Sequence, residues 1–221
     1  MLADLRLYQL ISPALPIGGF TYSQGLEWAV EAQWVSDKKT LEDWVAGLLD
    51  HSIATLELPV LMRLQQAFSD ADELAVVRWS QYLLASRETL ELRKEERQRG
   101  AALARLLTSL DVSFTERLAK TIAGNQLAGI ALAANFWEID PVKTMSGYAW
   151  SWLENSVMAG VKLIPLGQTH GQQILLELAH KIPAAVATAM AIPEENIGSS
   201  TPALAIASSN HEKQYTRLFR S

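Results

Sequence analysis

A glutamate and a histidine three residues apart form the spacing in this sequence that comes closest to a metal-binding pair. Glu177 and His180 would share one face of a helix. Di-iron bundles use such a pair twice and add two further glutamates, whereas here the pair occurs once. The other histidines, His51, His170 and His211, are far apart along the chain. We therefore predict no metal site and place His180 near a helix end, where a positive ring is mildly favoured.

Short motifs that activate a nucleophile or cradle a phosphate are missing from the sequence. It contains no Gly-x4-Gly-Lys-Ser/Thr loop, no Gly-x-Gly-x-x-Gly turn and no Gly-x-Ser-x-Gly elbow. The lack of cysteine excludes disulfides, thiolate metal sites and cysteine nucleophiles, and is typical of a cytoplasmic protein. We accordingly predict no catalytic residues and no cofactor.

Composition and charge exclude further classes of protein. The chain has 221 residues, 49% of them hydrophobic, and we expect residues 1–221 to form a single domain. A net charge of −5 predicts no overall attraction to nucleic acid or to an anionic membrane. The longest strongly apolar run, residues 127–137, is too short to cross a bilayer. Asp4 and Arg6 interrupt the apolar N-terminal stretch, which argues against a signal peptide.

Helical periodicity dominates the chain and sets the predicted fold. Leu127, Ile130, Ala131 and Ala134 recur at the spacing of one buried helix face, and no strand or hairpin pattern appears. We predict an all-α fold, a single-domain multi-helix bundle of about eight to ten helices. The predicted segments are 4–12, 23–34, 40–67, 71–86, 89–109, 114–137, 141–163, 170–191 and a short terminal one.

Several residues predict where these helices start or break. Asp140 followed by Pro141 is typical of an N-cap with proline in the first turn. Pro59 and Pro183 fall inside apolar helical patterns, and each is expected to kink or divide its helix. Capping boxes are predicted at Thr40 with Asp43, Ser113 with Glu116, Thr169 with Gln172, and Ser209 with Glu212.

The block from residue 15 to residue 27, Leu-Pro-Ile-Gly-Gly-Phe-Thr-Tyr-Ser-Gln-Gly-Leu-Glu, combines a turn with aromatic side chains. Pro16 fixes its own φ, and Gly18 and Gly19 supply backbone freedom. Ser23 is expected to cap the helix that follows. The spacing fits either a tight turn into that helix or a binding element at its N-terminus. The block contains no acid–base or nucleophile pair.

Two charged features have more than one interpretation. The run from Arg87 to Arg99 contains the opposite-charge pairs Arg87–Glu91 and Glu95–Arg99, each one helical turn apart. We predict a solvated helix face with weak pairs, and a polar docking face is the alternative. Lys162 lies in an apolar stretch, where it would either offset the dipole of a helix end or contact a partner.

The character of the sequence changes at residue 198. Residues 198–209 are small and weakly polar, and we predict a flexible connector. His211, Tyr215, Leu218 and Phe219 then recur at helical spacing, which predicts a short amphipathic docking helix. Chain ends are usually disordered unless something holds them. This helix should therefore dock either on the protein's own core or in a groove of another protein.

Four blocks in order along the chain resemble the UreF family of urease accessory proteins. They are residues 15–27, Leu-Leu-Ala-Ser-Arg-Glu-Thr and Glu-Glu-Arg-Gln-Arg-Gly within 83–100, Met-Ala-Gly-Val-Lys-Leu-Ile-Pro-Leu-Gly-Gln at 158–168, and His-Glu-x-Gln-Tyr-x-Arg-Leu-Phe-Arg-Ser at 211–221. Thr21 departs from the family in standing where serine is commoner. His170 adds a histidine to its block and leaves open whether nickel contacts the chain.

The resemblance implies an all-helical homodimer without catalysis of its own. Proteins of this family assemble with the accessory protein UreD (also called UreH) and the GTPase UreG, and the complex helps to load nickel into apo-urease. The tail at 211–221 would become ordered against UreD. The implied partner-binding residues are Gly18, Gly19, Phe20, Tyr22, Ser23, Gln24, Glu27, Glu91, Lys162, Gly167, Gln168, His211, Tyr215, Arg217, Leu218, Phe219 and Arg220.

Three hypotheses about function follow. The first is a non-catalytic urease maturation factor that couples the GTP-dependent steps of UreG to nickel insertion. The alternative is a helical small-molecule enzyme with a buried aromatic pocket, drawing on the seven tryptophans and on carboxylates such as Glu138 or Glu154. A protein that itself hydrolyses GTP is disfavoured because the chain has no phosphate loop.

Overall fold

The computed structural model describes residues 1–221, and all of its regular elements are helical. This confirms the predicted all-α fold. The α-helices are α1 Leu2–Ile11, α2 Leu26–Glu31, α3 Lys38–Leu48, α4 Leu58–Ser69, α5 Glu73–Ala85, α6 Leu90–Ser109, α7 Glu116–Gly124, α8 Gln126–Phe136, α9 Pro141–Leu163, α10 Gln168–Ala179, α11 Ile182–Ala191 and α12 Pro202–His211. Short 3-10 turns cover Gly19–Thr21 and Glu194–Asn196, and a π-helical segment, Leu49–Glu57, joins α3 to α4.

One hydrophobic cluster of 53 buried residues forms the core. Helices α4, α8 and α9 lie at its centre, and all residues of α8 from Gln126 to Ala134 are buried. Two helical stretches, Lys38–Ser69 and Gln168–Ala191, have the length and composition of a membrane span. Most of the apolar window in the first is buried against the rest of the chain, as expected of a core helix. Pro183 divides the second.

The continuous helical stretch from α3 to α4 changes from α-helical to π-helical hydrogen bonding directly before Pro59. Pro59 has no N–H and therefore cannot make the α-helical bond to the carbonyl of Thr55. The predicted kink takes the form of the π-helical segment, whose wider turn accommodates the proline. The Thr55 carbonyl accepts a hydrogen bond from the N–H of Gly198 at 3.0 Å, and the His51 carbonyl accepts one from Ser200 at 3.2 Å. The chain after α11 is thus held along this segment.

The predicted helix starts are partly confirmed. The Asp140 side chain caps α9 by accepting from the Lys143 N–H at 3.0 Å, and Pro183 lies in the first turn of α11, where it ends the preceding helix as predicted. The predicted helix 114–137 is divided at Asn125, whose extended backbone starts α8 and whose side chain accepts from the Ala128 N–H. A polar N-cap inside an apolar pattern was sufficient to start a new helix.

The predicted capping boxes are wrong in position. The box at α3 joins Asp37 to Thr40, because Asp37 is the residue with extended backbone. Helix α7 follows Thr115 and α10 follows Gly167, in both cases without a side-chain cap. Consecutive polar residues all satisfy the pattern, and the backbone angles decide which of them lies at the boundary.

The C-terminal prediction is wrong in its helical boundaries. The stretch predicted as a flexible connector contains α12, which begins at Pro202 and buries Leu204, Ala207 and Ser208. The predicted box at Ser209 and Glu212 lies at the end of α12 rather than at the start of a helix. Residues 212–221, hereafter the tail, are non-helical because several of their N–H groups bond to groups outside the tail.

Candidate partner-binding site

The tail lies against the turn at residues 18–24 and against one face of α6. Most of the residues predicted to bind partners meet here, although they come from four separate parts of the sequence. Their side chains fall into an inner set that is buried or half-buried and an outer set that is exposed. The inner set is Tyr22, Ser23, Gln24, Glu27, Glu91, His211 and Phe219, and the outer set is Phe20, Lys162, Tyr215, Arg217, Leu218 and Arg220.

The turn and the start of α2 contain three residues with left-handed backbone, Gly18, Gln24 and Gly25. Gly18 has φ +71°, and its carbonyl accepts from both the N–H and the hydroxyl of Thr21. Gly25 has φ +78° and starts α2, whereas Ser23 had been predicted to do so. A Cβ on Gly25 would lie 2.8 Å from the backbone nitrogen of Ser208 in α12. Only glycine fits there, because both the conformation and the space exclude a side chain.

The carboxylate of Glu27 binds the backbone of the tail. It accepts from the N–H of Leu218 at 2.6 Å and from that of Phe219 at 2.8 Å. Glu27 itself is buried, so these charge-assisted bonds replace the water that the carboxylate gives up.

Two carboxylates flank the imidazole of His211, which is fully buried. The His211 Nδ1 lies 2.6 Å from Glu91, and its Nε2 lies 3.3 Å from Glu27. Each ring nitrogen thus faces one carboxylate, and the nitrogen that carries the proton donates to it. Glu91 also accepts from Arg217 at 2.7 Å, so it joins α6 to both the end of α12 and the tail.

The last residue of the chain is held by two further groups. The hydroxyl and the N–H of Ser23 both donate to the backbone oxygen of Ser221 at 2.6 Å. The Ser221 hydroxyl donates to Glu95, which also accepts from Arg99 at 2.8 Å and from Gln24 at 3.2 Å.

Glu212 has a role that its spacing did not reveal. Its carboxylate accepts from the N–H groups of Leu90 and Glu91, the first residues of α6. It therefore caps α6 from a distant part of the chain, at the positive end of the helix dipole. The expected capping box with Ser209 was the only local signal at this position.

The prediction of a solvated face for residues 87–99 holds for Lys94 and Arg97, which are exposed, but is wrong for four other charged residues. Arg87, Glu91, Glu95 and Glu96 are all buried. The Glu95–Arg99 pair forms, but the predicted Arg87–Glu91 pair does not. Helical spacing identifies which residues could pair, but a local pattern does not show which distant elements cover them.

Arg87 instead belongs to a second buried cluster, in the core. Its guanidinium donates to Glu57 at 2.6 Å and to Glu96 at 3.0 Å, and the hydroxyl of Tyr148 donates to Glu57. Burial opposes the charge of Arg87, but Glu57 and Glu96 outweigh it and hold the pKa of Arg87 well above its ordinary value. Burial, reinforced by Glu57, raises the pKa of Tyr148 well above 10.

The outer surface of the site is apolar with a basic rim. The Lys162 ammonium lies 5.9 Å from the ring centre of Phe20 and 5.8 Å from that of Phe219, which is within cation–π range. This contact brings the turn, α9 and the tail together. Tyr215 is wholly exposed and Leu218 is two-thirds exposed.

Two predicted residues lie apart from this surface. Gly167 and Gln168 are exposed at the start of α10, and neither forms a hydrogen bond with the tail. His170 is likewise exposed in the first turn of α10.

The buried aromatic residues do not enclose a pocket large enough for a small-molecule substrate. The cavity between α1 and α9, beside Tyr148 and Trp152, has a volume of about 30 Å³, which is room for about one water molecule. Of the two carboxylates considered for such a pocket, Glu138 is exposed and Glu154 is half-buried, and neither lines this cavity.

Comparison with known proteins gives matches to the UreF family along almost the entire chain. The UreF family model matches residues 35–179. The urease accessory protein UreF of Pseudomonas putida strain W619 is 50% identical over 220 residues, covering 100% of this chain and 98% of the relative. The UreF protein of Alcanivorax borkumensis is 51% identical over 225 residues, covering 99% and 98%. That of Klebsiella pneumoniae strain 342 is 48% identical over 217 residues, covering 98% and 97%.

The fold and the site define an all-helical protein whose tail is pinned by buried carboxylates beneath an exposed apolar surface. Together with the sequence matches, this places it in the class of urease accessory proteins. Within that class, the chain belongs to the UreF family.

Proposed function

We propose that this chain is a non-catalytic scaffold of urease maturation. In this proposal it binds UreD (UreH) through the tail and the turn at residues 18–24, recruits the GTPase UreG, and couples GTP-dependent steps to the insertion of nickel into apo-urease. Nickel is the cargo of that assembly. The chain would act in the cytoplasm as a homodimer.

The tail is the observation that carries this proposal. It exposes Tyr215 and Leu218, although it is pinned to the protein by its backbone and by buried charges. Large apolar side chains held rigidly at a surface typically anchor a protein partner. The exposed cations Arg217 and Arg220 lie on the same tail, and Lys162 lies over Phe219 beside them. Such a basic rim favours an acidic counterpart on UreD.

The proposal is tested by deleting residues 212–221 and co-expressing the shortened chain with UreD and UreG. This deletion leaves α12 and its buried His211 in place. We expect UreD to be lost from the purified complex while the helical circular dichroism is retained. A matched control is Leu176→Ala, which removes an equally exposed leucine from α10. Undiminished UreD binding by the shortened chain would contradict the tail assignment.

The same preparation tests the enzymatic alternatives. The purified chain alone should not hydrolyse GTP and should not be stabilised by a panel of small metabolites. Turnover of GTP by the chain alone would replace the scaffold proposal with a catalytic one.

A further inference from the structure

Helix α6 separates its charges between two faces. All three of its carboxylates, Glu91, Glu95 and Glu96, are buried. Lys94, Arg97 and Arg105 are exposed, and none of the three forms an ion pair or a hydrogen bond with another residue. Because its carboxylates are buried, this helix has a basic outer face on a protein of net charge −5.

An open groove adjoins this face, between α5, α6 and α7. Its volume is about 620 Å³, and its wall is mostly apolar, with Leu84, Ala101 and Ala123 contributing. The only ionisable residues that line it are Arg97 and Lys120, and Lys120 is also exposed and unpaired. Glu116 lies one turn before Lys120 on α7 but does not pair with it. The groove thus combines an apolar floor with two free cations.

We infer that this groove binds an acidic, apolar peptide segment of a partner protein. Carboxylates of the segment would pair with Arg97 and Lys120, while an apolar side chain would fill the floor beside Ala101. The lining favours a peptide over RNA, because it contains no aromatic side chain on which a base could stack. The groove is distinct from the tail site, because Arg97 and Glu95 lie on nearly opposite faces of α6.

The inference is tested by fluorescence anisotropy with the full chain and three labelled probes. These are a short peptide of glutamate and leucine, its glutamine-for-glutamate analogue, and a single-stranded RNA of matching charge. The acidic peptide should bind in a salt-dependent way, and the glutamine analogue should bind about tenfold more weakly.

Two variants test separately how the charge and the shape of the groove contribute to peptide binding. Arg97→Glu with Lys120→Glu should weaken binding of the acidic peptide by about tenfold or more, because it replaces two attractions with two repulsions. Ala101→Trp should block binding by filling the floor while keeping the charge. The matched control, Lys39→Glu with Lys181→Glu, makes the same change in net charge at two exposed lysines elsewhere and should leave binding within about twofold.

Three outcomes would overturn the inference. They are equal binding of the glutamine analogue, tighter binding of RNA than of the acidic peptide, and binding that the double charge reversal leaves unchanged. Failure of the acidic peptide to bind at millimolar concentration would also overturn it.

Discussion

Two buried clusters of carboxylates and their hydrogen-bond donors lie in this protein, and they hold very different elements together. The core cluster, Glu57, Arg87, Glu96 and Tyr148, joins elements that are packed in the hydrophobic core. The tail cluster, Glu27, Glu91, Glu95 and His211, holds a non-helical segment of ten residues, 212–221.

The clusters differ in whether their carboxylates stay buried when the group that binds them is removed. If an ion of the core cluster is removed, its partners stay buried and unpaired, since the helices around them keep water out. If the tail leaves, Glu27, Glu91 and Glu95 become accessible to water or to another protein. The same chemistry therefore supports the whole fold in one place and a single non-helical segment in the other.

Arg87→Met should have the largest effect on stability. It leaves Glu57 and Glu96 buried without their cation, which we expect to cost about 3–5 kcal/mol of unfolding free energy. Urea denaturation followed by circular dichroism measures this loss. Lys39→Met, at an exposed pair with Asp43, is the control and should leave the midpoint unchanged. If Arg87→Met lowered the unfolding free energy no more than Lys39→Met does, the core cluster would not be needed for stability.

Glu27→Gln should have a smaller and more local effect. It weakens the bonds to the N–H groups of Leu218 and Phe219, which we expect to cost about 1–3 kcal/mol. Limited proteolysis should then cut within the tail sooner, while α4 and α8 remain protected. Glu31→Gln, an exposed residue of the same helix, should leave the tail as resistant as before. Simultaneous loss of protection in core and tail would mean that the two regions are not separable.

Alkaline pH should distinguish the tyrosines of the two regions. The pKa of Tyr148 is raised well above 10, so its contribution to stability is complete below pH 10 and is lost as the pH rises above that value, where the unfolded chain ionises first. Tyr148→Phe should therefore flatten the fall in unfolding free energy above pH 10.

Tyr22, near the tail, should respond differently. Burial raises its pKa, and the positive charge of Arg220 partly opposes this. Arg220→Ala should consequently raise the pKa of Tyr22 further, as measured by ultraviolet titration of the folded protein. An unchanged titration curve would show that Arg220 of the tail does not reach Tyr22.

Lys162→Ala should have the smallest effect on stability. Cation–π contacts at exposed sites contribute about 0.5–1 kcal/mol, so the urea midpoint should fall only slightly. Binding of UreD should fall more than stability does, because Lys162 lies on the outer surface. Lys162→Arg keeps the cation and should restore binding. A fall in binding that merely follows stability would remove Lys162 from the proposed interface.

Local signals in the sequence predicted the helical framework well, and long-range contacts decided most of the rest. Asp140–Pro141 and Pro183 act through their own backbone, so their effects could be predicted from spacing. The π-helical segment could not be predicted from spacing, since Pro59 predicts a kink but not the type of helix that accommodates it.

The charged residues show this limit most clearly. Arg87 and Glu91 satisfy the helical pairing rule, yet each has a stronger partner from a distant part of the chain. The tail likewise has helical spacing. Its N–H groups at Leu218 and Phe219 nevertheless donate to the Glu27 carboxylate, which is a stronger acceptor than the carbonyl groups of a helix. The family blocks nonetheless pointed to the residues that converge there.

The most direct test of the account is hydrogen exchange of the tail amides in the free chain and in the presence of UreD. The account predicts that the amides of Leu218 and Phe219 exchange through local opening in the free chain, faster than those of α8, and become protected when UreD binds. No change in the exchange of these amides on addition of UreD would contradict the claim that the tail docks on UreD. Exchange only through global unfolding would contradict the claim that the tail is held separately from the core.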